Sequence, residues 1–176
     1  MIFGNPLNFA VEALVEPGPE FPPSFGGNVA GRMRLHVGGV SVGDISKSSC
    51  VPRVLSEHFA ELCATARTLW HPSLAGIPPE EQFQMLDEAL FLGGGNPELE
   101  ECHQTIFLTN VSEAFDPIKG FALSPSPNEI LVMLRLDEGG PFVHRNIPYT
   151  EFCSVAAAFA HWVGEQERTL LNGATV

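Results

Sequence analysis

The chain has 176 residues, 44% of them hydrophobic, and a formal charge of −12 from 9 basic and 21 acidic residues. This length and apolar content predict one globular domain, residues 1 to 176, with a sizeable core. The negative charge argues against nucleic acid and anionic membrane surfaces as partners, because both are bound through clustered lysine and arginine.

The sequence gives no signal for export or membrane insertion. The first 15 residues lack a basic segment before their apolar residues, and no stretch reaches the ~18 apolar residues of a membrane span. The cysteines are widely spaced and form no CxxC pair, as is typical of reduced thiols in the cytoplasm. We therefore expect a cytoplasmic protein without a disulfide framework. The four cysteines are Cys50, Cys63, Cys102 and Cys153.

The N-terminal third of the chain predicts strands. Residues 7 to 16 begin with apolar side chains on alternate positions, as in a half-buried strand. Four prolines and three glycines between residues 17 and 27 predict a loop. Residues 29 to 37 and 40 to 42 flank Gly38-Gly39, which predicts a β-hairpin because glycine allows positive φ at both turn positions.

The middle of the chain changes to helical periodicity. Residues 52 to 70 and 79 to 92 carry apolar residues at helical spacing, and Gly93-Gly94-Gly95 predicts the end of the second helix. Residues 96 to 101 read as a polar loop and residues 103 to 109 as a short β-like run.

The C-terminal third predicts more strands and one long helix. Strands are expected at residues 120 to 124 and 129 to 136, with an edge strand at 141 to 147. A helix is expected from residue 150 to about 171. Runs of strands separated from runs of helices predict an α+β fold, with an antiparallel sheet of about five to seven strands and about three helices packed against it.

One stretch is conspicuously acidic. No lysine or arginine occurs between Arg67 and Lys119, whereas nine carboxylates do. Such a patch attracts cations or a basic protein. Five acidic residues, together with the neighbouring aromatic Phe115, are therefore candidate partner-binding residues, and Trp70 is a further candidate anchor. The candidates are Glu98, Glu100, Glu101, Glu113, Phe115 and Asp116.

Two residues, Ser41 and Cys102, are candidate catalytic nucleophiles. Residues 39 to 43 match G-x-S-x-G around Ser41, but a nucleophile elbow needs a strand that turns directly into a helix, and the earliest predicted helix starts at Pro52. Cys102 precedes His103, yet neighbouring residues on a strand point to opposite faces and cannot pair with each other. No spacing of histidine, cysteine or carboxylate predicts a metal site, and we expect no cofactor.

Several stretches resemble the immunity protein 42 family of bacterial polymorphic-toxin systems. They are residues 1 to 6 (MIFGNP) and 8 to 12 (NFAVE), the hairpin at residues 31 to 44, and residues 112 to 116 (SEAFD). The resemblance implies a cytoplasmic protein without enzymatic activity that binds and neutralises a cognate toxin domain. The acidic surface is the expected contact.

Two other interpretations stay open at this level. One is a small hydrolase that uses Ser41 or Cys102. The other is an acidic adaptor or chaperone-like binding domain without a toxin partner.

Overall fold

The computed structural model describes residues 1–16, 29–46, 50–108, 111–136 and 139–173. The predicted α+β class is confirmed. The described strands number seven, within the predicted range, and they form two antiparallel sheets of four and three strands instead of one. The predicted loop at residues 17 to 27 lies outside the described residues, and the single domain stays a prediction.

The first sheet holds four antiparallel strands in chain order. They are β1 (Ile2–Asn5), β2 (Phe9–Val15), β3 (Gly31–Val37) and β4 (Val40–Val42). The apolar alternation predicted β2 and β3 correctly, whereas the short exposed strand β1 was not predicted. Its side chains are mostly exposed, so it carries no buried period of two for a sequence pattern to reveal.

The hairpin between β3 and β4 is confirmed. Gly38 and Gly39 have φ of 59° and 84°, which are the positive values that a two-residue turn of this kind requires. Val37 pairs with Val40 across the turn, and His36 pairs with Ser41.

The second sheet holds β5 (Ile118–Ser126), β6 (Glu129–Leu136) and β7 (Phe142–Pro148), with β6 in the centre. All three strands were predicted, and β7 lies at an edge as expected. Both faces of β6 are covered: alternate side chains belong to two different hydrophobic clusters.

Three α-helices complete the fold: α1 (Pro52–Thr65), α2 (Pro79–Asp87) and α3 (Tyr149–Gly173). A 3₁₀ turn, Ala66–Thr68, extends α1 towards the predicted end at residue 70. A π-helical turn, Glu88–Leu92, extends α2 to the predicted residue 92. None of the helices among the described residues combines the length and hydropathy that crossing a bilayer requires.

The interpretation of residues 97 to 105 was wrong, and residue 109 lies outside the described residues. A 3₁₀ helix with a kink at Cys102, Pro97–Thr105, replaces the predicted loop and the start of the β-like run. The β-like character begins at Ile106, which forms an isolated bridge with Phe121, and continues with a hydrogen bond from the Phe107 N–H to the Gly120 carbonyl oxygen at 2.7 Å. The Asn96 side chain accepts a hydrogen bond from the Glu98 N–H and so caps this helix. Its buried residues recur every third position, the period of a 3₁₀ helix, and not every second; they are Leu99, Cys102 and Thr105.

The larger cluster is an aromatic core between the first sheet, α1 and α3. Phe9 stacks on Phe152 with 4.9 Å between ring centroids, and Phe59 stacks on Phe107 at 5.5 Å. The larger cluster also covers one face of the second sheet. The smaller cluster lies on the opposite face of that sheet, against α2 and the 97–105 helix. It fixes the acidic part of the chain to the scaffold.

Candidate functional site: an acidic lobe

The candidate site is the segment from residue 79 to 105, which we call the acidic lobe. It consists of α2, the π-helical turn and the 3₁₀ helix Pro97–Thr105, which pack against one another. The smaller cluster holds it on the second sheet through residues such as Phe83, Leu86 and Leu99. The lobe therefore presents its carboxylates from a rigid base.

Helix α2 is positioned by its first turn and by its buried face. Pro79 occupies the first turn, where its missing N–H costs nothing, and Glu80 and Glu81 lie near the positive end of the helix dipole. On the buried face, the Phe83 ring meets the Phe121 ring edge-on, with 5.0 Å between centroids. The buried Gln82 amide donates to the carbonyl oxygens of Leu74, at 3.0 Å, and Ile77, at 2.9 Å. These bonds tie the preceding turn to the lobe.

Most of the charge of the lobe is unpaired. Two of its seven carboxylates form ion pairs: Glu80 accepts a hydrogen bond from Arg135 at 3.0 Å, and Asp87 accepts one from Lys119 at 2.7 Å. The other five are without an ion-pair partner among the described residues. All five are exposed to solvent, so their negative potential extends outward; they are Glu81, Glu88, Glu98, Glu100 and Glu101.

An apolar pair lies within this acidic surface. Phe91 is 42% exposed and Leu92 is 68% exposed, both in the π-helical turn. Such turns are frequent at functional sites because they change the direction in which side chains point. Gly93 then ends the helix in the left-handed conformation, with φ of 66°.

Phe91 and Leu92 were missed by the sequence analysis. A signal was present, because Leu90, Phe91 and Leu92 are consecutive apolar residues just before three glycines. Neighbouring helix residues point about 100° apart, so one buried stripe cannot accommodate all three. At least one of them had to be exposed.

The six predicted site residues do not form one surface. Glu98, Glu100 and Glu101 lie together on the 97–105 helix. Glu113 and Asp116 are exposed at a different short 3₁₀ helix, Glu113–Phe115, which packs beside β3.

The prediction that Phe115 contacts a partner was wrong. Its side chain is 1% exposed and belongs to the larger cluster. The Phe115 ring fills the space next to Gly43, where an added Cβ would lie 2.5 Å from the ring. Phe115 is therefore a core residue, and a side chain at position 43 would displace it.

Trp70 is not an open anchor. It is partly buried against the smaller cluster and lines a groove of about 490 Å³ together with Arg67 and Pro125. The neighbouring His71 accepts a hydrogen bond from the Ser73 N–H and caps the 3₁₀ helix Pro72–Leu74.

Ser41 has a histidine within hydrogen-bonding distance. The Ser41 Oγ lies 2.9 Å from His36 Nδ1, and His36 Nε2 lies 3.0 Å from Glu12 Oε2. These contacts were not predicted from the sequence, although the hairpin register carries the signal. A two-residue turn places residues 36 and 41 opposite each other in a non-hydrogen-bonded pair, where side chains come close.

The geometry of this chain is that of a cross-strand polar ladder. Ser41 lies in β4, which is followed by a turn through Ser46 and not directly by a helix, so there is no nucleophile elbow. Arg34 Nε donates to the same Glu12 oxygen at 2.6 Å. The Arg34 hydrogen bond, opposed by partial burial and aided by His36, lowers the pKa of Glu12. The carboxylate is thus largely neutralised by Arg34.

The ladder predicts a pH dependence of stability. Because the folded-state pKa of Glu12 is lowered, its contribution is present above the ordinary value of 4.5 and is lost as the pH falls through the folded-state value. We expect Glu12→Gln to lower the free energy of unfolding at pH 7 by about 1–2 kcal/mol. The variant should also show a shallower loss of stability as the pH falls below 4.5.

Urea unfolding at several pH values measures both effects. Glu129→Gln is the matched control, because Glu129 is an exposed residue of β6 without an ion pair among the described residues. Equal pH profiles for the two variants would contradict the role assigned to Glu12.

Cys102 is poorly suited to nucleophilic chemistry. Burial raises the pKa of its thiol, and the neighbouring Glu101 carboxylate raises it further. The thiol therefore stays protonated, whereas the thiolate is the reactive form. Cys102 and His103 lie in the 3₁₀ segment and not in a strand, so the expectation that they point to opposite faces of a strand was wrong. Among the described residues, no group of three or more histidine, cysteine or acidic side chains could hold a metal ion.

Comparison with protein families agrees with the resemblance seen in the sequence. The family model described as Immunity protein 42 matches residues 1–162. Searches of curated proteins and of solved structures gave no match. The family match includes both sheets, the acidic lobe and the first part of α3. This chain therefore belongs to the immunity protein 42 family.

Proposed function

We propose that this protein neutralises a bacterial toxin domain by binding it, and that the acidic lobe is the contact surface. The observation that supports this most is that one lobe carries both five exposed carboxylates without an ion pair among the described residues and the exposed apolar residues Phe91 and Leu92. Binding of the toxin in the cytoplasm would protect the producing cell. Neither enzymatic activity nor a cofactor would be needed for this protection.

The two kinds of side chain would have different roles in the complex. Carboxylates that face solvent accelerate the approach of a basic surface but add little to the lifetime of the complex. Apolar side chains that become fully buried supply most of the residence time. Phe91 and Leu92 would be these anchors, and the surrounding glutamates would form the polar rim.

The proposed partner surface is basic and contains an apolar pocket. Positive charge is required because a neutral surface would gain nothing from the five glutamates. A pocket is required because Leu92 projects from the surface with two thirds of its side chain in solvent. Glu113 and Asp116 stand apart from this patch, on another helix, and are proposed as a secondary contact at most.

The test of the proposed function uses the product of the neighbouring toxin gene. Co-expression should protect cells from this toxin, and the two purified proteins should form a complex on size exclusion. Absence of both protection and complex would overturn the proposal and favour the adaptor interpretation.

The apolar anchor gives a sharper test within that complex. Leu92→Ala is expected to weaken binding by about 1–3 kcal/mol, mostly through faster dissociation, because a buried leucine side chain is lost from the interface. Stability should change by less than about 0.5 kcal/mol, since Leu92 is mainly in solvent. Surface plasmon resonance measures the dissociation rate.

The control for this test is Leu7→Ala. Leu7 is 74% exposed and lies in the turn between β1 and β2, outside the acidic lobe. An equal effect of both substitutions on dissociation would remove Leu92 from the proposed interface.

A small hydrolase built on Ser41 is the second candidate function. The hydrogen bonds from Ser41 to His36 and from His36 to Glu12 favour it, and Ser41 lines an open groove of about 290 Å³. The pairing of Glu12 with Arg34 and the lack of an elbow oppose it. Labelling of Ser41 by a fluorophosphonate, abolished in His36→Ala, would establish the hydrolase; no labelling would exclude it.

A further inference from the structure

Each of the two sheets has two edge strands, β1 and β4 in the first and β5 and β7 in the second. The outward backbone groups of an edge strand can pair with a further strand, so natural proteins usually protect such edges. The edge of β5 is covered by the segment that precedes it. Ile106 forms a bridge with Phe121, and the Phe107 N–H donates to the Gly120 carbonyl oxygen at 2.7 Å.

The edges at β4 and β7 are protected in other ways. β4 has only three residues, and a strand this short offers little for another chain to pair with. β7 ends at Pro148 and carries the exposed cation Arg145 near its centre. Proline and charge are the two features that most often prevent an edge strand from pairing with another chain.

β1 carries none of these protections. Its sequence, IFGN, contains neither charge nor proline, and three of its four residues are exposed. It pairs with β2 on one side without a shift in register, and no backbone hydrogen bond reaches its other side from the described part of the chain. The edge is also apolar, because Ile2 is 50% exposed and Leu14, its diagonal neighbour on β2, is 45% exposed.

The ladder between β1 and β2 determines which groups of β1 point outward. The Met1 amino group donates to the Ala13 carbonyl oxygen at 2.6 Å, and the Ala13 N–H donates to the Met1 carbonyl oxygen at 2.9 Å. Residue pairs that exchange two bonds in this way alternate with pairs that exchange none. By this alternation, the N–H and C=O groups of Ile2 and Gly4 face the open side of β1.

We propose that β1 is an interaction surface for a second copy of this chain, with the two β1 strands antiparallel and centred on Phe3. In this register Ile2 of one copy lies opposite Gly4 of the other, so the outward groups of each such pair can exchange two hydrogen bonds. A two-fold axis gives both copies the same contact, as in most protein dimers. The proposal does not depend on the proposed toxin binding.

The side chains of β1 fit this self-pairing. Phe3 would lie opposite Phe3 of the other copy in a non-hydrogen-bonded pair, where side chains are close and aromatic pairs are stabilising. Phe3 is only partly buried, against Phe159 and Trp162, with 5.7 and 5.5 Å between ring centroids. Ile2 would pack over Gly4 of the other copy, which has no side chain to obstruct it. Because β1 is uncharged, its own residues introduce no repulsion between the two strands.

The dimer is expected to be weak and to strengthen with salt. Two paired strands of four residues bury less than the ~1,000 Å² of a stable interface. Each copy also has a formal charge of −12, so two copies repel each other when few ions screen them. Dissociation constants should therefore lie in the micromolar to millimolar range and fall as salt rises. Association with a basic toxin would show the opposite dependence on salt.

The experiment is sedimentation velocity of the full chain between about 10 µM and about 1 mM. The sedimentation coefficient should rise from that of a monomer towards that of a dimer, at lower protein concentration in about 300 mM salt than in about 20 mM. Amide hydrogen exchange, followed by NMR, locates the contact. Exchange of Ile2 and Gly4 should slow at high protein concentration, whereas Phe3 and Asn5, whose amides face β2, should exchange equally at both concentrations.

Two lysine variants test the edge directly. Ile2→Lys should weaken the dimer at least about tenfold, because it introduces the charge that other edge strands carry. Val54→Lys is the matched control: Val54 is 44% exposed on α1, and the substitution makes the same change in net charge. The control should dimerise like the unmodified chain. If Ile2→Lys does not fold, the concentration dependence of the Ile2 and Gly4 amides in the unmodified chain decides alone.

Four results would overturn the proposal. The first is a monomer at every concentration and salt, and the second is a dimer whose protected amides lie elsewhere. The third is an equal effect of the two lysine variants on dimerisation. The fourth is protection of Ile2 and Gly4 only when the toxin is added to an otherwise monomeric protein, which would assign the edge of β1 to the toxin.

Discussion

Replacement of Glu98, Glu100 and Glu101 with lysine is expected to slow association with the toxin by about ten- to a hundredfold at low salt. The three carboxylates are exposed on one short helix, and no cation among the described residues neutralises them. Their reversal would turn attraction of a basic surface into repulsion. The dissociation rate should change much less, because rim charges act mainly on the encounter.

The salt dependence of the association rate should also become flatter in this variant. Ions at 0.15 M screen charges beyond about 8 Å, so a long-range attraction between exposed groups weakens as salt rises. Stopped-flow kinetics between about 20 and 500 mM salt measure the slope. In the lysine variant little electrostatic attraction remains for salt to screen, so its association rate should depend less on the salt concentration.

A charge-matched control separates the lobe from the net charge of the protein. Lysine at Glu61, Glu129 and Glu165 makes the same change in net charge at exposed positions of α1, β6 and α3. This control should slow association by only a few-fold. If both triple variants behave alike, the effect belongs to the overall charge, and the acidic lobe is not the contact surface.

Phe59→Ala is expected to lower the free energy of unfolding by about 3–5 kcal/mol. Phe59 is fully buried and its ring lies within contact distance of four others, with 5.5 Å to Phe107 and to Phe152, 6.0 Å to Phe9 and 6.5 Å to Phe159. Those four rings come from β2, α3 and the segment before β5, whereas Phe59 itself lies on α1, so the cavity would weaken the contact between α1 and both the first sheet and α3. Thermal unfolding should show a Tm lower by roughly 10 °C.

Phe91→Ala is the matched control for this loss. It removes the same side chain from a residue that is 42% exposed, so the expected cost is about 1 kcal/mol or less. The pair also tests the division between core and surface. Equal losses would mean that Phe59 is not at the centre of the aromatic core, or that Phe91 is not in solvent.

Local patterns were sufficient to predict most of the regular elements. Gly38-Gly39 fixed the hairpin because the required positive φ is a property of the turn itself. The helical spacing from Leu55 to Leu62 predicted α1 because one apolar face is enough to identify an amphipathic helix. In each case the information lies within a few neighbouring residues.

Long-range contacts explain what the sequence could not predict. Phe115 sits between an alanine and an aspartate, and its burial depends on Gly43, which comes from a distant part of the chain. Pairing of Glu80 with Arg135 likewise depends on how α2 packs on the second sheet. The candidate site was therefore predicted only in part: the carboxylates of the 97–105 helix were named, whereas Phe91 and Leu92 were not.

The 97–105 helix keeps its inward and outward positions strictly apart. Leu99, Cys102 and Thr105 face the scaffold, while Glu98, Glu100 and Glu101 face solvent. Substitutions at the outward positions leave the packing on β5 and β6 unchanged. Related proteins could thus differ in binding preference through these surface side chains, while the buried residues of the helix keep the same packing on the second sheet.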